Sequence, residues 1–338
     1  MRTKLLFLAS LLLAALSAGL LLAEPMGARA VRELPPDIER LYNGGLYRQA
    51  AEALNAAIQR EPEESSLRYW LGRCFYELRD YNRAISSMER ANGIEPERSE
   101  YHDWLGKAYG RKAQEGSRFT PFSSLSMAHK ARREFETAVR LDSGNLEAQR
   151  DLIRYLVNAP GIVGGSEETA ERQIQALSSV DAMEGELAQA ELFVTRRKFD
   201  QADEEYQKIL QMKPNRIGIY FEIAEYYRDR GNAARMSEAI AEGAPLAPSD
   251  HRLDYYRGIA LILEDRDHAQ AEAQLRHYLD TVPDNANVPS HSTAHEWLGR
   301  LYEREGQLDK AAQEFQAAVS LDPHNKQASE SLKAMQKR

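Results

Sequence analysis

The sequence predicts an all-α protein, a right-handed α-solenoid of about eight helix–turn–helix units closed by a C-terminal capping helix. In residues 292–325, large apolar residues such as Leu298 and Phe315 belong to runs with three- and four-residue spacing, so each helix has one apolar stripe. Gly306 lies between the two stripes, where a residue that tolerates positive φ can end a helix, and Pro323 stops the second helix. One such hairpin cannot bury its stripe alone, whereas stacked copies can.

Copies of this pattern run through the chain. Ala50 and Ala84 are 34 residues apart, as are Pro62 and Pro96. The predicted units are residues 31–64, 65–98, 99–145, 146–182, 183–216, 217–250, 251–285 and 292–325, and the predicted capping helix is 326–338. The capping helix is polar and Lys-rich, which suits an element that covers the last apolar face and turns its charge to solvent.

The repeated order of residues is that of a known family. Its clearest copy is formed by Leu298, Gly299, Tyr302, Gly306, Ala311, Phe315, Ala318 and Pro323. This order resembles the tetratricopeptide repeat, a helix–turn–helix unit of about 34 residues. The resemblance covers nearly all of residues 31–338. It implies a stack of hairpins in which the first helix of each unit lines a concave groove.

The first 30 residues are different from the rest. Arg2 and Lys4 precede an uncharged run at 5–23, and the small residues of Ala28-Arg29-Ala30 have the form of a cleavage site. This pattern is typical of a secretory signal peptide. The alternative is a retained anchor, because the run is long enough to span a bilayer. Both interpretations place the remaining chain outside the cytoplasm, in the periplasm or otherwise exported, free or anchored to the inner membrane.

Composition narrows the possible partners. Without residues 1–30 the formal charge is 41 − 51 = −10, since Arg2, Lys4, Arg29 and Glu24 are removed from the 44 basic and 52 acidic residues. Such an acidic chain has no general attraction for nucleic acid or for an anionic membrane. The one cysteine, Cys74, rules out an internal disulfide. Cys74 lies within an apolar stripe, and this position predicts a small buried side chain rather than a reactive thiol.

Two neighbouring units contain extra residues, in both cases between the first and second helix. Unit 99–145 has 13 more residues than the repeat requires and unit 146–182 has about five. The inserts should therefore lie side by side on one edge of the solenoid. Their apolar residues include Phe119, Phe122, Ile162 and Val163. Loops longer than the fold needs are often functional, so this edge is a candidate binding surface; the alternative is that the two inserts cap each other.

The pair of inserts carries a second resemblance. The segments GRKAQEG…SLSMAHKARREFETAVRLD and APGIVGGSEETA, taken together, are similar to those of a group of exported bacterial tetratricopeptide proteins that carry both inserts. This resemblance implies a bacterial protein that faces the envelope. It implies no activity, because that group has no established function.

The predicted groove has a basic character. Side chains two before and two after the leucine of each first helix should face it. In the units from 65 to 182, these positions and one further turn supply the cations Arg73, Lys107, Arg111, Arg150 and Arg154. Such a set suits an acidic peptide or a C-terminal carboxylate. The alternative is that acidic neighbours such as Glu77, Asp103 and Glu147 neutralise these cations. The two asparagines of the carboxylate clamp found in chaperone-binding relatives are absent at the matching positions, which disfavours that partner.

Unit 251–285 differs from the others. Tyr255, Ile259 and Ile262 make its predicted groove face apolar, and together with Phe221 they could hold an apolar anchor of a peptide. The alternative is that these side chains pack against the next unit.

Catalytic motifs are missing from the sequence. HExxH, CxxC, GxSxG and a P-loop are absent. In GIVGGS, Ser166 is predicted to be an N-cap, and Glu167 and Glu168 would repel a phosphate. His291 and His295 are four apart, but His291 is expected to precede the helix and no third ligand is close in sequence. The sequence therefore predicts no enzyme, no cofactor and no metal site.

These observations favour an exported scaffold that presents its groove and the edge formed by the two inserts to a protein or peptide partner. Its mechanism would be binding by preformed stacked helices, which lowers the ordering cost for a partner segment. The alternative is a periplasmic small-molecule or substrate-binding component associated with a transporter, with the ligand held between the apolar inserts and the concave wall. A closed apolar pocket would favour the second hypothesis, and an open groove with exposed Arg73, Lys107 and Arg154 the first.

Overall fold

The predicted all-α solenoid is confirmed by the computed structural model, which describes residues 33–116, 121–285 and 287–335. These residues form seventeen α-helices. They are α1 Pro36–Asn43, α2 Tyr47–Arg60, α3 Ser65–Glu77, α4 Tyr81–Ile94, α5 Ser99–Gly116, α6 Pro121–Leu141, α7 Leu146–Asn158, α8 Glu167–Val180, α9 Ala182–Thr195, α10 Phe199–Gln211, α11 Ile217–Asp229, α12 Ala233–Gly243, α13 Arg252–Leu263, α14 His268–Thr281, α15 His291–Arg304, α16 Leu308–Leu321 and α17 Lys326–Met335. Short 3₁₀ turns occur at Gly161–Val163 and Ala244–Leu246.

Consecutive helices pack as hairpins, from α1–α2 to α15–α16, and α17 covers the last of them. Where the two helices cross in the hairpins α3–α4, α5–α6, α13–α14 and α15–α16, a glycine of the first faces a large side chain of the second. A Cβ atom added to Gly106 would lie 2.8 Å from the Phe135 ring, and one added to Gly299 would lie 2.7 Å from the Phe315 ring. Gly306 follows α15 with φ +73°, as predicted. Glycine thus allows both the close crossing and the turn.

The apolar core runs along the stack as two large clusters. One extends from Leu34 to Ala170 and the other from Leu187 to Ala328. A smaller cluster that includes Ile153 and Leu177 lies between them. Cys74 belongs to the first cluster and is fully buried, as the sequence predicts, and burial raises the pKa of its thiol to about 12. Each hairpin therefore buries its stripe against its neighbours, as a solenoid requires.

The array curves until two distant segments meet. Asn285 Nδ2 donates a hydrogen bond of 3.0 Å to the carbonyl oxygen of Asn43. Gly45, with φ +72°, lies so close to Asp284 that an added Cβ atom would be 2.2 Å from its carbonyl oxygen. The turn after α1 therefore contacts the segment between α14 and α15.

The described residues of the longer insert form helix rather than the loop expected from the sequence. Helix α5 has 18 residues and α6 has 21, whereas α15 and α16 have 14 each. The reason is local. Residues 122–141 contain no glycine or proline, and Pro121 occupies the first position of α6, where its fixed φ suits a helix start.

Some predicted features lie outside the described residues. These are the signal segment 1–30 with its cleavage site, Phe119, and the last three residues of the predicted capping helix 326–338. Within the part that the structure describes, every helix is too short or too polar to cross a membrane.

Candidate binding cleft

A cleft of about 1150 Å³ opens where the two hairpins that carry the inserts, α5–α6 and α7–α8, meet. Its walls come mainly from the end of α5, the beginning of α6, helix α7 and the turn that follows α7. The lining that matters for recognition consists of Tyr76, Lys107, Arg111, Leu125, Phe135, Arg150, Arg154, Tyr155, Pro160 and Val163. We call this the insert cleft. It contains the cations Lys107, Arg111, Arg150 and Arg154 and the apolar Val163 of the predicted site. Arg73, Phe122 and Ile162 are not part of its lining.

The two inserts contact each other through one tyrosine. The hydroxyl of Tyr155 lies 2.8 Å from the carbonyl oxygen of Ala128 in α6 and 2.8 Å from that of Val163 in the 3₁₀ turn. Its single proton serves one carbonyl at a time. Val163 is buried, whereas Ile162 and Phe122 are 71% and 87% exposed. The edge is thus partly self-covering and partly an exposed apolar surface.

Lys107 forms the charged floor of the insert cleft. Its Nζ lies 2.9 Å from Asp103 Oδ2 and 2.9 Å from Asp151 Oδ2, and it also contacts the carboxylate of Glu147. Burial alone would lower the pKa of Lys107, but the three carboxylates outweigh it and hold that pKa above its usual value. Burial raises the pKa of Asp103 to about 7, because one ammonium shared by three carboxylates does not offset the loss of water.

Two arginines of α7 continue this network. Arg150 Nη2 donates to Glu222 Oε1 at 2.7 Å and also lies near Glu184. Arg154 Nε donates to Glu191 Oε1 at 2.6 Å, and its Nη1 donates to Asp151 at 2.8 Å. Carboxylates therefore neutralise the cations of this part of the predicted groove. The acids that do so include Asp103 and Glu147, as the second interpretation of the sequence expected.

Arg73 and Arg111 are held differently. The Arg73 guanidinium carbon lies 4.4 Å from the centroid of the Trp70 ring and 4.1 Å from that of Trp104, so aromatic faces stabilise it. Arg111 is exposed and donates to the Tyr76 hydroxyl at 3.2 Å. Among the described residues, neither arginine forms an ion pair. Of the two, only Arg111 reaches the insert cleft.

The apolar groove face predicted in unit 251–285 is not exposed. Tyr255, Ile259 and Ile262 are fully buried and Phe221 is 5% exposed. They belong to the core cluster shared with the last hairpin. The packing alternative is the one that the structure shows.

Other predicted details can also be located. Ser166 caps α8 by accepting a hydrogen bond from Thr169 N at 3.2 Å. Helix α15 begins at His291, one residue earlier than expected, because Ser290 is its N-cap. His291 Nε2 pairs with the Val282 carbonyl at 2.7 Å and His295 Nδ1 pairs with Glu314 at 2.6 Å. The two histidines therefore have separate partners on other segments.

Sequence reasoning missed several residues of the insert cleft. Asp151 could have been found, because it lies one helical turn after Glu147 on the same stripe. Glu222 could not, since it comes from α11, two hairpins further along the chain. Tyr155 gave no signal either, because its role depends on a hydroxyl that reaches two backbone carbonyls in other segments.

Together, the stacked hairpins define a helical-repeat protein of the α-solenoid class. A family model described as a tetratricopeptide repeat matches residues 38–98 and 263–326. The chain therefore carries tetratricopeptide repeats near both ends of its array. No curated protein matches the chain.

The chain is similar to solved structures from several organisms. A tetratricopeptide repeat protein from Parabacteroides merdae is 15% identical, with 89% of this chain and 96% of that chain covered and a TM-score of 0.44. A human IFIT1 dimer with PPP-AAAA is 17% identical, with 89% and 72% covered and a TM-score of 0.51. At such identities the likeness to IFIT1 shows the fold alone.

Proposed function

We propose that this protein is an exported scaffold that binds a protein or peptide partner in the insert cleft and along the adjoining concave groove. The observation that carries the proposal is the insert cleft itself. It forms where the chain exceeds the repeat, and it combines apolar and cationic walls. Stacked hairpins generally use their concave surface for binding. The similarity of the two inserts to those of exported bacterial proteins supports the same conclusion.

The lining of the insert cleft indicates what a partner would present. Leu125 and Pro160 offer apolar surface near the exposed Arg111 guanidinium. Lys107, Arg150 and Arg154 are already paired with carboxylates, so an acidic partner would have to compete for them. Arg111 forms no ion pair among the described residues, so a carboxylate of the partner can pair with it without displacing an acidic side chain of this protein. We therefore propose a peptide with an apolar side chain and a nearby carboxylate that pairs with Arg111.

Site-specific photo-crosslinking tests this proposal in the full-length protein. A benzophenone amino acid is introduced in place of Asn158, an exposed residue that lines the insert cleft. The control carries it in place of Arg172, which is 59% exposed on α8 outside this lining. Irradiation in cells should give a discrete protein adduct at position 158 only. Mass spectrometry of the adduct then identifies the partner, and no adduct at 158, or the same adduct at 172, would contradict the proposal.

Charge reversal gives a second test once a partner is known. Arg111→Glu should weaken binding by about tenfold or more, while Arg172→Glu should leave it unchanged. Arg73 and Lys107 are poor choices for this test because they are packed among aromatic rings and carboxylates, and replacing them would disturb the fold. Circular dichroism should show the same helicity in both variants. Equal affinities of Arg111→Glu and the wild type would remove Arg111 from the site.

The proposed export has its own test. Mass spectrometry of the protein isolated from the periplasmic fraction should give a chain that begins at Val31. Full-length protein in the membrane fraction would instead support a retained anchor at residues 5–23 that faces the periplasm. Full-length protein in the cytoplasm would contradict export. This measurement is independent of the binding tests.

A second candidate is a small-molecule or substrate-binding component associated with a transporter. The volume of the insert cleft favours it, since about 1150 Å³ is of the order of known ligand pockets. Native mass spectrometry of the protein isolated from its own envelope distinguishes the two. A bound small molecule that is lost in Leu125→Glu would support this candidate, and a protein adduct without such a molecule would support the scaffold.

A further inference from the structure

Three potential metal ligands meet at one edge of the solenoid, outside the lining of the insert cleft. His251 immediately precedes α13, Asp254 lies in the first turn of α13, and His277 lies near the end of α14. This edge is where the first helix of a hairpin begins and the second ends. None of these three residues lines the insert cleft, which extends from the end of α5 and the start of α6 to the starts of α7 and α9. The cluster is therefore separate from the proposed partner site.

The three side chains are already close together. His277 Nδ1 lies 2.8 Å and His251 Nδ1 lies 3.6 Å from the same oxygen, Oδ2 of Asp254. One ligand atom from each residue can be chosen so that all three are within 4.8 Å of one another. The two imidazole rings are 4.8 Å apart between centroids, at 80°. In a tetrahedral zinc site the ligand atoms are about 3.4 Å apart, since Zn–N bonds are about 2.0 Å long.

The cluster is also accessible and chemically suitable. The side chains of His251 and His277 are about half exposed, and that of Asp254 is 20% exposed. Neutral imidazole and carboxylate are the ligands that Zn²⁺ and its neighbours Co²⁺, Ni²⁺ and Cu²⁺ prefer. The nearby Arg252 forms an ion pair with Asp250 at 2.6 Å. The positive charge of Arg252 is therefore balanced by Asp250 rather than by Asp254.

We propose that His251, Asp254 and His277 bind a divalent transition-metal ion of the Zn²⁺ class. Two imidazole nitrogens and one carboxylate oxygen leave a fourth position that faces solvent, where a water molecule or a group of another molecule completes the coordination. The ion would join the start of α13 to the end of α14. It therefore clamps this hairpin and stabilises the folded chain by mass action.

Two other histidines provide a comparison within the chain. His102 pairs with Glu134 and His295 pairs with Glu314, each through Nδ1 at 2.6 Å. Each of these pairs joins the two helices of its hairpin, but each has one imidazole. A single imidazole and one carboxylate make a weak site, whereas the cluster around Asp254 has a second imidazole. His295 is therefore a matched control for His277.

Calorimetric titration of untagged full-length protein with ZnCl₂ at pH 7.5 tests the site. The wild type should bind one equivalent, and His251→Ala or His277→Ala should weaken binding about tenfold or more. Co²⁺ should give visible d–d absorption in the wild type, and the melting temperature should rise with Zn²⁺.

Controls keep the result interpretable. His295→Ala should bind Zn²⁺ like the wild type. Asp254→Asn keeps the shape of the side chain and should lose affinity while its helicity and its melting temperature without metal are maintained. The proposal is overturned if the wild type binds no Zn²⁺, or if His251→Ala and His277→Ala bind as tightly as His295→Ala. These outcomes are independent of partner binding in the insert cleft.

Discussion

The hairpins α5–α6 and α15–α16 share their side-chain contacts at the end where the first helix begins, and they differ at the opposite end. At the end where the first helix begins, Ser99 Oγ donates to the Ala138 carbonyl at 2.9 Å, and Ser292 Oγ donates to the Ala318 carbonyl at 2.8 Å. Each pairs a histidine of the first helix with a glutamate of the second at 2.6 Å. At the far end α5–α6 continues, and there it forms the insert cleft. The extra residues therefore lengthen the hairpin without changing the packing of its base.

The groove face shows the same relation. Lys107 and Arg300 occupy equivalent positions, and each lies 4.5 Å from the ring of the tryptophan three residues before it. Arg300 pairs with Glu296 at 2.6 Å and donates to the amide oxygen of Gln327 on the next helix at 2.6 Å. Lys107 instead meets three carboxylates, since the helix that follows α6 carries Glu147 and Asp151. Lys107 therefore has more carboxylates around it than Arg300 has at the equivalent position, and this difference lies in the insert cleft.

The prediction with the largest expected effect tests whether the hairpins α5–α6 and α15–α16 are packed equally well in the part that they share. Phe135→Ala and Phe315→Ala should each lower the free energy of unfolding by about 3–5 kcal/mol, because each ring is almost fully buried against a glycine. Urea unfolding followed by circular dichroism measures both. A loss for Phe135→Ala that is several kcal/mol smaller would show that the longer helices stabilise α5–α6 in another way, and the comparison would fail.

The fold was predictable because it rests on local periodicity. Leu298, Gly299 and Phe315 lie where the repeat requires them, and Ser166 needed only its neighbours to be recognised as a cap. The longer insert was wrongly interpreted as a loop, because an excess over a repeat gives length but not conformation. The pairing of Arg150 with Glu222 was beyond reach, since it depends on curvature that brings distant hairpins together.

The second prediction compares the two groove cations. Lys107→Met should lower the free energy of unfolding by about 2–3 kcal/mol, because it leaves buried carboxylates without their cation. Arg300→Met should cost less, about 1–2 kcal/mol, because it leaves one buried carboxylate, that of Glu296, without its cation, whereas Lys107→Met leaves those of Asp103 and Asp151. Urea midpoints at one pH and salt concentration give both values. Equal losses of unfolding free energy would mean that the three carboxylates around Lys107 add no more stability than the single carboxylate paired with Arg300.

A pH series sharpens this second comparison. The pKa of Asp103 is raised to about 7 in the folded protein, against about 3.9 in an unfolded chain. Its contribution to stability is therefore full below pH 4 and is lost as the pH rises through 7. At pH 5 Asp103 is protonated with or without Lys107, so Lys107→Met should cost less at pH 5 than at pH 8. This pH dependence should disappear in the Asp103→Asn background, and its persistence there would assign it to other groups.

The smallest expected effect concerns the contact between the inserts. Tyr155→Phe removes the hydroxyl near the Ala128 and Val163 carbonyls and should cost about 1 kcal/mol. Its distinguishing effect is local: hydrogen exchange should become faster in residues 159–166 and stay unchanged in α15–α16. Tyr220→Phe is the matched control, since its hydroxyl donates to the Pro214 carbonyl at 3.2 Å in a hairpin of ordinary length. If Tyr155→Phe left exchange in 159–166 unchanged, the edge would be held by the burial of Val163, and the two inserts would act as separate walls of the insert cleft.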